Sequence, residues 1–367
     1  MTKCEFCGKP LDDENAHYMN ETTMCEDCLE EQSVLCQHCG TRIWRDDAIR
    51  EDNYTLCNHC YEYNFIHCSD CGRLICEDDA CYDEDSDRDY CSSCYDRLND
   101  SSIESYNYKP SPIFYGEGDL FIGVELEIDV GGYDHNNAKE LKKIANEMDD
   151  HLYIKEDGSL NDGFEMVSHP MSLDYHIKEM PWENVMKKAV KMGYLSHKTS
   201  TCGLHIHVDR ISLGDTREEQ DEVIARIMYF VEHNWDKVLR FSRRTQFQLE
   251  RWANRYGCKS APKEIMDEAK KGCQGRYVCI NIMNYHTVEF RVFRGTLKYN
   301  TFIGALQFVN TICDAVFSMS DKEIQKFTWD KYLETLNESE HKELLTYLDE
   351  RGIGKGELNE GSSVGNS

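Results

Sequence analysis

The feature that most constrains this chain is a cysteine pattern that repeats. Cys-x-x-Cys-Gly occurs at Cys4–Gly8, Cys36–Gly40 and Cys68–Gly72, each copy 32 residues after the last. Each is followed by a second pair, Cys25/Cys28, Cys57/Cys60 and Cys91/Cys94. A fixed period of this length marks an array of one small unit. About 30 residues cannot bury enough apolar surface to fold alone, whereas two Cys-x-x-Cys knuckles supply the four ligands of a tetrahedral zinc site. The sequence therefore predicts three tandem Cys4 zinc modules, over about 1–32, 33–64 and 65–99, with the metal contributing the folding free energy. The zinc ligands are Cys4, Cys7, Cys25, Cys28, Cys36, Cys39, Cys57, Cys60, Cys68, Cys71, Cys91 and Cys94. Pairing within each repeat is simplest, and a cross-braced pairing between repeats is the alternative. Cys76 and Cys81 are extra; His17 and Ile49 stand at the position of Cys81 in the other repeats. Closed Cys4 sites have no open coordination position, so they read as docking elements resembling zinc ribbons or treble clefs.

Charge narrows the classes further. The 367 residues carry 41 Lys+Arg and 68 Asp+Glu, a net charge of −27, of which −17 falls in the first 100 residues. A protein that tracks nucleic-acid phosphates would show the opposite balance, so nucleic acid is disfavoured as a partner. A solvated acidic face is the simpler reading, and a basic protein surface docking on the acidic modules is the alternative. No signal-type or membrane-spanning apolar segment is apparent, and nineteen cysteines in metal-type spacing point to a reducing cytoplasm.

Residues 100–118, with Pro110 and Pro112, read as a linker carrying few contacts, and 352–367 as a disordered tail. Between them, 119–351 alternates strand-like and helix-like segments. Strands are expected at Leu120–Val130, Phe164–Ser168, Leu204–Asp209, Tyr277–Met283 and Val288–Gly295. Helices are expected at Asn136–Asp149, Pro181–Met192, Thr216–Phe241 and Asn300–Met319, and through Asp330–Glu350.

Three of these strands alternate strictly. Ile122, Val124, Leu126 and Ile128 share one face, while Glu125, Glu127 and Asp129 share the other. Leu204, Ile206 and Val208 oppose His205 and His207; Val288, Phe290 and Val292 oppose Glu289 and Arg291. Gly163-Phe-Glu enters a further strand with Glu165 facing away from Phe164 and Met166. One sheet thus presents carboxylates, imidazoles and an arginine together. Such a donor set suits Mg²⁺ or Mn²⁺ better than Zn²⁺, and Arg291 offers a planar fork for phosphate or carboxylate. A His-x-His metal hydrolase would want more histidine. A Walker-type phosphate loop is absent from the sequence.

The motifs Gly123-Val-Glu-Leu-Glu, Asp157-Gly-Ser-Leu with Gly163-Phe-Glu, Cys202-Gly-Leu-His-Ile-His, Asn281, Thr287-Val-Glu-Phe-Arg and Arg294-Gly-Thr come in an informative order. Over 119–316 they resemble the putative amidoligase family, met often in phages and related to glutamine synthetase and glutamate–cysteine ligase. The resemblance implies an α+β fold, with a glutamine-synthetase-like curved antiparallel sheet behind the zinc modules. It also implies an ATP-dependent carboxylate–amine ligase working through an acyl phosphate, in the cytoplasm (the host's, if phage-encoded). Glu125, Glu127, Asp157, Glu165, His205 and Glu289 would then hold the Mg²⁺ or Mn²⁺ ions. Arg291 would contact the phosphoryl group, and Arg276, Asn281 and Arg294 the ATP or substrates. Asp157 is one carbon shorter than the glutamate expected there. The competing reading is a non-catalytic adaptor, a degenerate ligase-like domain displayed with zinc modules.

Overall fold

The computed structural model describes residues 2–12, 15–84, 86–99, 102–272 and 275–355. They divide into two compact units, one drawn from the first hundred residues with Asn107–Pro110, the other from the stretch ending at Tyr106 and from Ser111 onward.

In the first unit one pattern recurs three times. A short hairpin (Thr2–Lys3 with Pro10–Leu11; Ser33–Leu35 with Arg42–Trp44; Phe65–His67 with Leu74–Cys76) carries the first cysteine pair at its tip. A second hairpin follows, and then a helix, Glu26–Gln32, Asn58–Asn64 or Ser92–Asn99, whose first turn holds the last cysteine. The second pair therefore opens a helix, which is the treble-clef arrangement rather than the second hairpin of a ribbon. Gly8, Gly40 and Gly72 sit at φ +76°, +72° and +71°, each donating its N–H to the carbonyl of the leading cysteine at 2.9 Å; glycine adopts this left-handed turn without the Cβ clash. The apolar cores are small, and Trp44 packs on the first module's core while Leu74 and Cys76 join the second's. Cys76 is thus a packing residue, its thiol pushed up chiefly by burial.

The second unit is a mixed helix and antiparallel-sheet fold. Its strands are β1 (Ile122–Ile128), β2 (Leu152–Lys155), β3 (Phe164–Ser168), β4 (Gly203–Asp209), β5 (Ile280–Asn281) and β6 (Thr287–Arg294). They form one six-stranded sheet in the order β2-β3-β1-β4-β6-β5, every pairing antiparallel. Ile122, Val124, Leu126, Ile128, Leu204, Ile206 and Val208 are fully buried in a core shared with the helices Trp182–Lys191, Arg217–His233 and Tyr299–Phe317. One face of the sheet is therefore covered by apolar packing, which leaves the other for polar groups.

Several expectations change. The helix expected over Thr216–Phe241 breaks at Asn234, which donates from Nδ2 to the Phe230 carbonyl and accepts the Trp329 N–H through Oδ1. The strand expected at Tyr277–Met283 shrinks to Ile280–Asn281. The Cys279 N–H turns instead to the Asn254 carbonyl, and the Asn281 side chain accepts the Met283 N–H and ends the strand. The segment 102–118 is not a bare tether. Ile103 and Tyr115 belong to the second unit's core, and Tyr115 is bonded through its backbone to Pro170 and Ser172. The expected disordered tail lies outside the described residues from 356. Before that, Ile353 is buried and its carbonyl accepts the Trp329 indole N–H.

Candidate functional site

Antiparallel register stacks the polar residues of the sheet into three cross-strand rows. In the first, Lys155 (β2) stands opposite Glu165 (β3), which stands opposite Glu127 (β1). In the second, Glu125 (β1) stands opposite His205 (β4). In the third, Gly123 (β1), His207 (β4), Glu289 (β6) and Asn281 (β5) follow one another. Residues paired this way hold their Cβ atoms about 5 Å apart, so side chains in adjacent rows meet. His205 Nδ1 lies 3.2 Å from Glu125 and 3.5 Å from Glu289, and its Nε2 lies 3.8 Å from Glu127. His207 Nε2 lies 3.2 Å from Glu125. Lys155 Nζ reaches Glu165 at 3.4 Å. Glu289 accepts from Asn281 at 2.9 Å, from Asn284 at 3.4 Å and from Arg291.

A β-bulge shapes the β6 side of this face. Leu204 pairs with Phe293 but Ile206 pairs with Phe290, so β6 carries one extra residue opposite His205. The strict alternation expected for β6 therefore ends at Arg291, and Phe293 takes the inward place opposite Leu204. Arg294 comes to pair with Gly203, its guanidinium donating to the Thr199 carbonyl at 3.2 Å and the Arg243 carbonyl at 3.4 Å. Gly203 leaves room there, since a Cβ would lie 2.5 Å from the Arg244 guanidinium and displace it, and its N–H is bonded to Glu127.

Three buried carboxylates and the half-buried Glu125 crowd this face against Lys155, Arg244 and Arg291, and carboxylates this close oppose one another's ionisation. Burial and then the Glu125 charge push Glu165 well above the usual carboxylate range. Burial also raises Glu127, against the pull of His205. For Glu125 burial is outweighed by His207 and His205, which hold it well below that range. Glu289 is lowered too, burial being outweighed by His207 and Arg291. His207 is raised, the nearby Glu125 overcoming burial.

The residues present fit a divalent cation. Glu125, Glu165 and His205 bring one ligand atom each within 4.8 Å of one another, as do Glu125, His207 and Glu289. His207 Nε2 is buried and has no hydrogen-bond partner, although Glu125 is beside it. The set is oxygen-rich, as hard cations prefer.

Of the expected site residues, β1, β3, β4, β5 and β6 bring together Glu125, Glu127, Glu165, His205, Asn281, Glu289 and Arg291. Asp157 lies in the loop after β2, close enough for its charge to raise Glu127 and Glu165, and its carboxylate also caps the turn by accepting the Ser159 N–H at 2.6 Å. Arg276 lies off the sheet, bonded to the Tyr106 hydroxyl at 2.7 Å and stacked over Tyr277. Three groups were not in the expected ligand or phosphate set. Lys155 is buried and remains charged because Glu165 and Glu125 outweigh burial. Arg244 is pushed down to about 10 by burial, despite Glu127. His207 shares the expected face but is not among the expected ligands. The Leu-Tyr-Ile-Lys run of β2 was the available signal for Lys155; nothing local marks Arg244.

In the first unit each group of four cysteines comes from a single repeat: Cys4, Cys7, Cys25 and Cys28; Cys36, Cys39, Cys57 and Cys60; Cys68, Cys71, Cys91 and Cys94. The Cys7–Cys25, Cys39–Cys57 and Cys71–Cys91 sulfurs lie 3.7, 3.9 and 3.7 Å apart. A tetrahedron with Zn–S bonds of about 2.3 Å has edges of about 3.8 Å, so the clusters fit zinc. Burial raises the Cys4 thiol, but the backbone N–H groups of Cys7, Cys25 and Phe6 outweigh it and bring it down to about 6. Cys68 is likewise at about 6, burial being outweighed by the N–H groups of Cys71, Cys91 and Asp70. A sulfur so surrounded is prepared as a thiolate ligand.

No family model and no curated protein matches the chain. Among solved structures it is similar to a bifunctional glutathione synthetase from Pasteurella multocida, with a TM-score of 0.31 and 12% identity over 64% of this chain and 45% of that one. The chain thus spans less than half of that structure, and a likeness so remote carries no argument about either fold or activity. No helix among the described residues is long and apolar enough to cross a membrane.

Proposed function

We propose that the second unit is an ATP-dependent carboxylate–amine ligase of the glutamine-synthetase-like kind, and that the zinc modules dock it to a partner. The observation that carries this reading is the convergence of Glu125, Glu127, Glu165 and Glu289 with His205, His207, Arg291 and Lys155 on one buried sheet face. Bound Mg²⁺ or Mn²⁺ ions would supply charge neutralisation for a triphosphate there. Glu125, Glu127, Glu165, Glu289, His205 and His207 are the residues that would hold them.

The chain's own residues supply the rest. Arg291, fixed by Glu289, offers its guanidinium to the transferring phosphoryl group, and Arg244 and Lys155 add fixed positive charge at the two ends of the first row. A substrate carboxylate oxygen attacks the γ-phosphorus and ADP leaves, giving an acyl phosphate. An amine attacks the acyl carbon, orthophosphate leaves, and the amine nitrogen gives up a proton to yield the amide. In the first unit, Tyr18, Tyr63 and Tyr82 are exposed among acidic residues, which suits a basic protein surface as the docking partner. The test is ADP release with ATP, Mg²⁺ and pools of amino acids, polyamines and proteins. ADP formation that requires both an acid and an amine supports a ligase. If no pool elicits turnover and ATP with Mg²⁺ gives no thermal shift, the adaptor reading replaces it.

A further inference from the structure

A second polar site lies beyond the start of β4 and the end of β6, where Arg243, Arg294, His197, Thr296 and Thr301 line an open depression floored by Leu204, Phe241 and Phe293. Its chemistry is opposite to that of the metal face. No carboxylate lines it among the described residues. Arg243 donates to His197 Nε2 at 3.0 Å, so the imidazole accepts and is neutral. Burial pushes His197 down to about 4, and Arg243, Arg294, Arg351 and Lys198 all push the same way. Arg294 is depressed by burial and then by Arg243, so two guanidiniums repel each other here with no ion-pair partner among the described residues.

Two donors in this depression are unused. Arg294 spends its terminal nitrogens on the Arg243 and Thr199 carbonyls, but its Nε is buried and has no partner. Thr301, 6% exposed, presents a hydroxyl that also has none. Thr301 is the third residue of the 19-residue helix Tyr299–Phe317, whose N-terminus lacks a side-chain cap and carries the positive end of the helix dipole. Arg243 follows the helix Trp235–Ser242 and ends it in the left-handed conformation, φ +61°. Buried donors and uncompensated cations together lack one thing, an anion.

We infer that this depression is an oxyanion subsite, taking a carboxylate or phosphoryl group between Arg243, Arg294 and the Thr301 hydroxyl. Its backbone abuts the metal face, since Gly295 donates its N–H to the Cys202 carbonyl at 3.3 Å and Gly203 follows directly. The inference deepens the expectation that Arg294 meets ATP or a substrate, and its failure is distinguishable from that of the ligase reading because the subsite needs neither metal nor ATP.

The test uses the full chain with its zinc in place and no added Mg²⁺ or Mn²⁺. Orthophosphate and acetate are titrated against chloride at equal ionic strength, following the melting temperature of the second unit. A saturable rise is expected with at least one of the two, and which one distinguishes a phosphoryl from a carboxylate occupant. Arg243→Gln and Thr301→Val should each weaken that binding by about tenfold or more. Thr301→Val is nearly isosteric and removes only an unpaired hydroxyl, so it keeps the test valid if Arg243→Gln folds poorly. No saturable rise with either anion, or an affinity that Thr301→Val leaves unchanged, would overturn the inference.

Discussion

Replacing Glu289 by Gln separates a metal-holding role from a structural one, and the structure sets the size of both effects. The Glu289 carboxylate accepts from Asn281 Nδ2, Asn284 Nδ2 and the Arg291 guanidinium at once. A glutamine offers one acceptor oxygen, and its NH₂ would face donors. The charge-assisted bond to Arg291 is lost, at about 1.5–3 kcal/mol, and a largely buried guanidinium loses its nearest counter-charge. A total of about 2–4 kcal/mol follows. At about 2–4 °C per kcal/mol for a unit of this size, the second unit should melt about 4–16 °C lower. Glu165→Gln should cost less. Burial and Glu125 push its carboxyl towards protonation, but it is also the partner of buried Lys155 at 3.4 Å, so the metal-free protein should lose less stability at pH 7 than with Glu289→Gln. Both variants should blunt the thermal shift produced by Mn²⁺, and ADP-forming turnover should fall about 10²-fold or more. Differential scanning calorimetry with and without Mn²⁺ reads the comparison. If Glu289→Gln melts no lower than the parent, or if both variants keep the full Mn²⁺ shift, the reasoning fails.

Other outcomes follow from the same contacts. Purified protein should carry three zinc ions per chain by elemental analysis, and a chelator should unfold the first unit while the second unit's calorimetric transition persists, because its core is separate. Asp129 is fully buried and accepts from Thr201, Asn161, Asp162 and Val130, and these bonds outweigh burial and hold its carboxyl below the usual range. That stability is present above about pH 4 and is lost as pH falls through the folded-state value. Asp129→Asn should therefore cost about 2–4 kcal/mol in urea melts at pH 7, and the gap to the parent should narrow at pH 3. A chain beginning at Asp119 should be less stable than one beginning at Ser102 by at least about 3–5 kcal/mol. It lacks Tyr115, which stacks on Tyr175 and bonds the Asp150 carbonyl, and urea melts of the two would show the difference.

Much of the second unit's polar face was legible because side-chain period two is written directly into β1, β4 and β6. Glu125, Glu127, His205 and Glu289 could be assigned to one side without knowing strand order. The cysteine period gave the modules the same way. What the sequence hides is whatever depends on partners distant in the chain. β2 is four residues long and ends in a lysine, and only pairing with Glu165 makes that lysine a buried member of the first row. Arg244 sits just past the helix Trp235–Ser242, and its approach to Gly203 arises from tertiary packing alone. The Asn234 break was masked by apolar residues that keep helical spacing through it. The linker's polar composition concealed Tyr115, because one buried aromatic does not produce a period.

The extra residue in β6 also bears on how this gene can change length. A regular strand cannot lose a residue without turning every later side chain to the other face, but a bulge can absorb the loss. Losing the single codon for Val292 would restore a regular ladder and still leave Phe293 opposite Leu204 and Arg294 opposite Gly203. Substitutions at Val292 should be tolerated when they keep its bulk, and its deletion should keep both faces of β6 in place. In a library of one-residue deletions, Val292 should score better than Glu289, whose removal takes away the carboxylate itself.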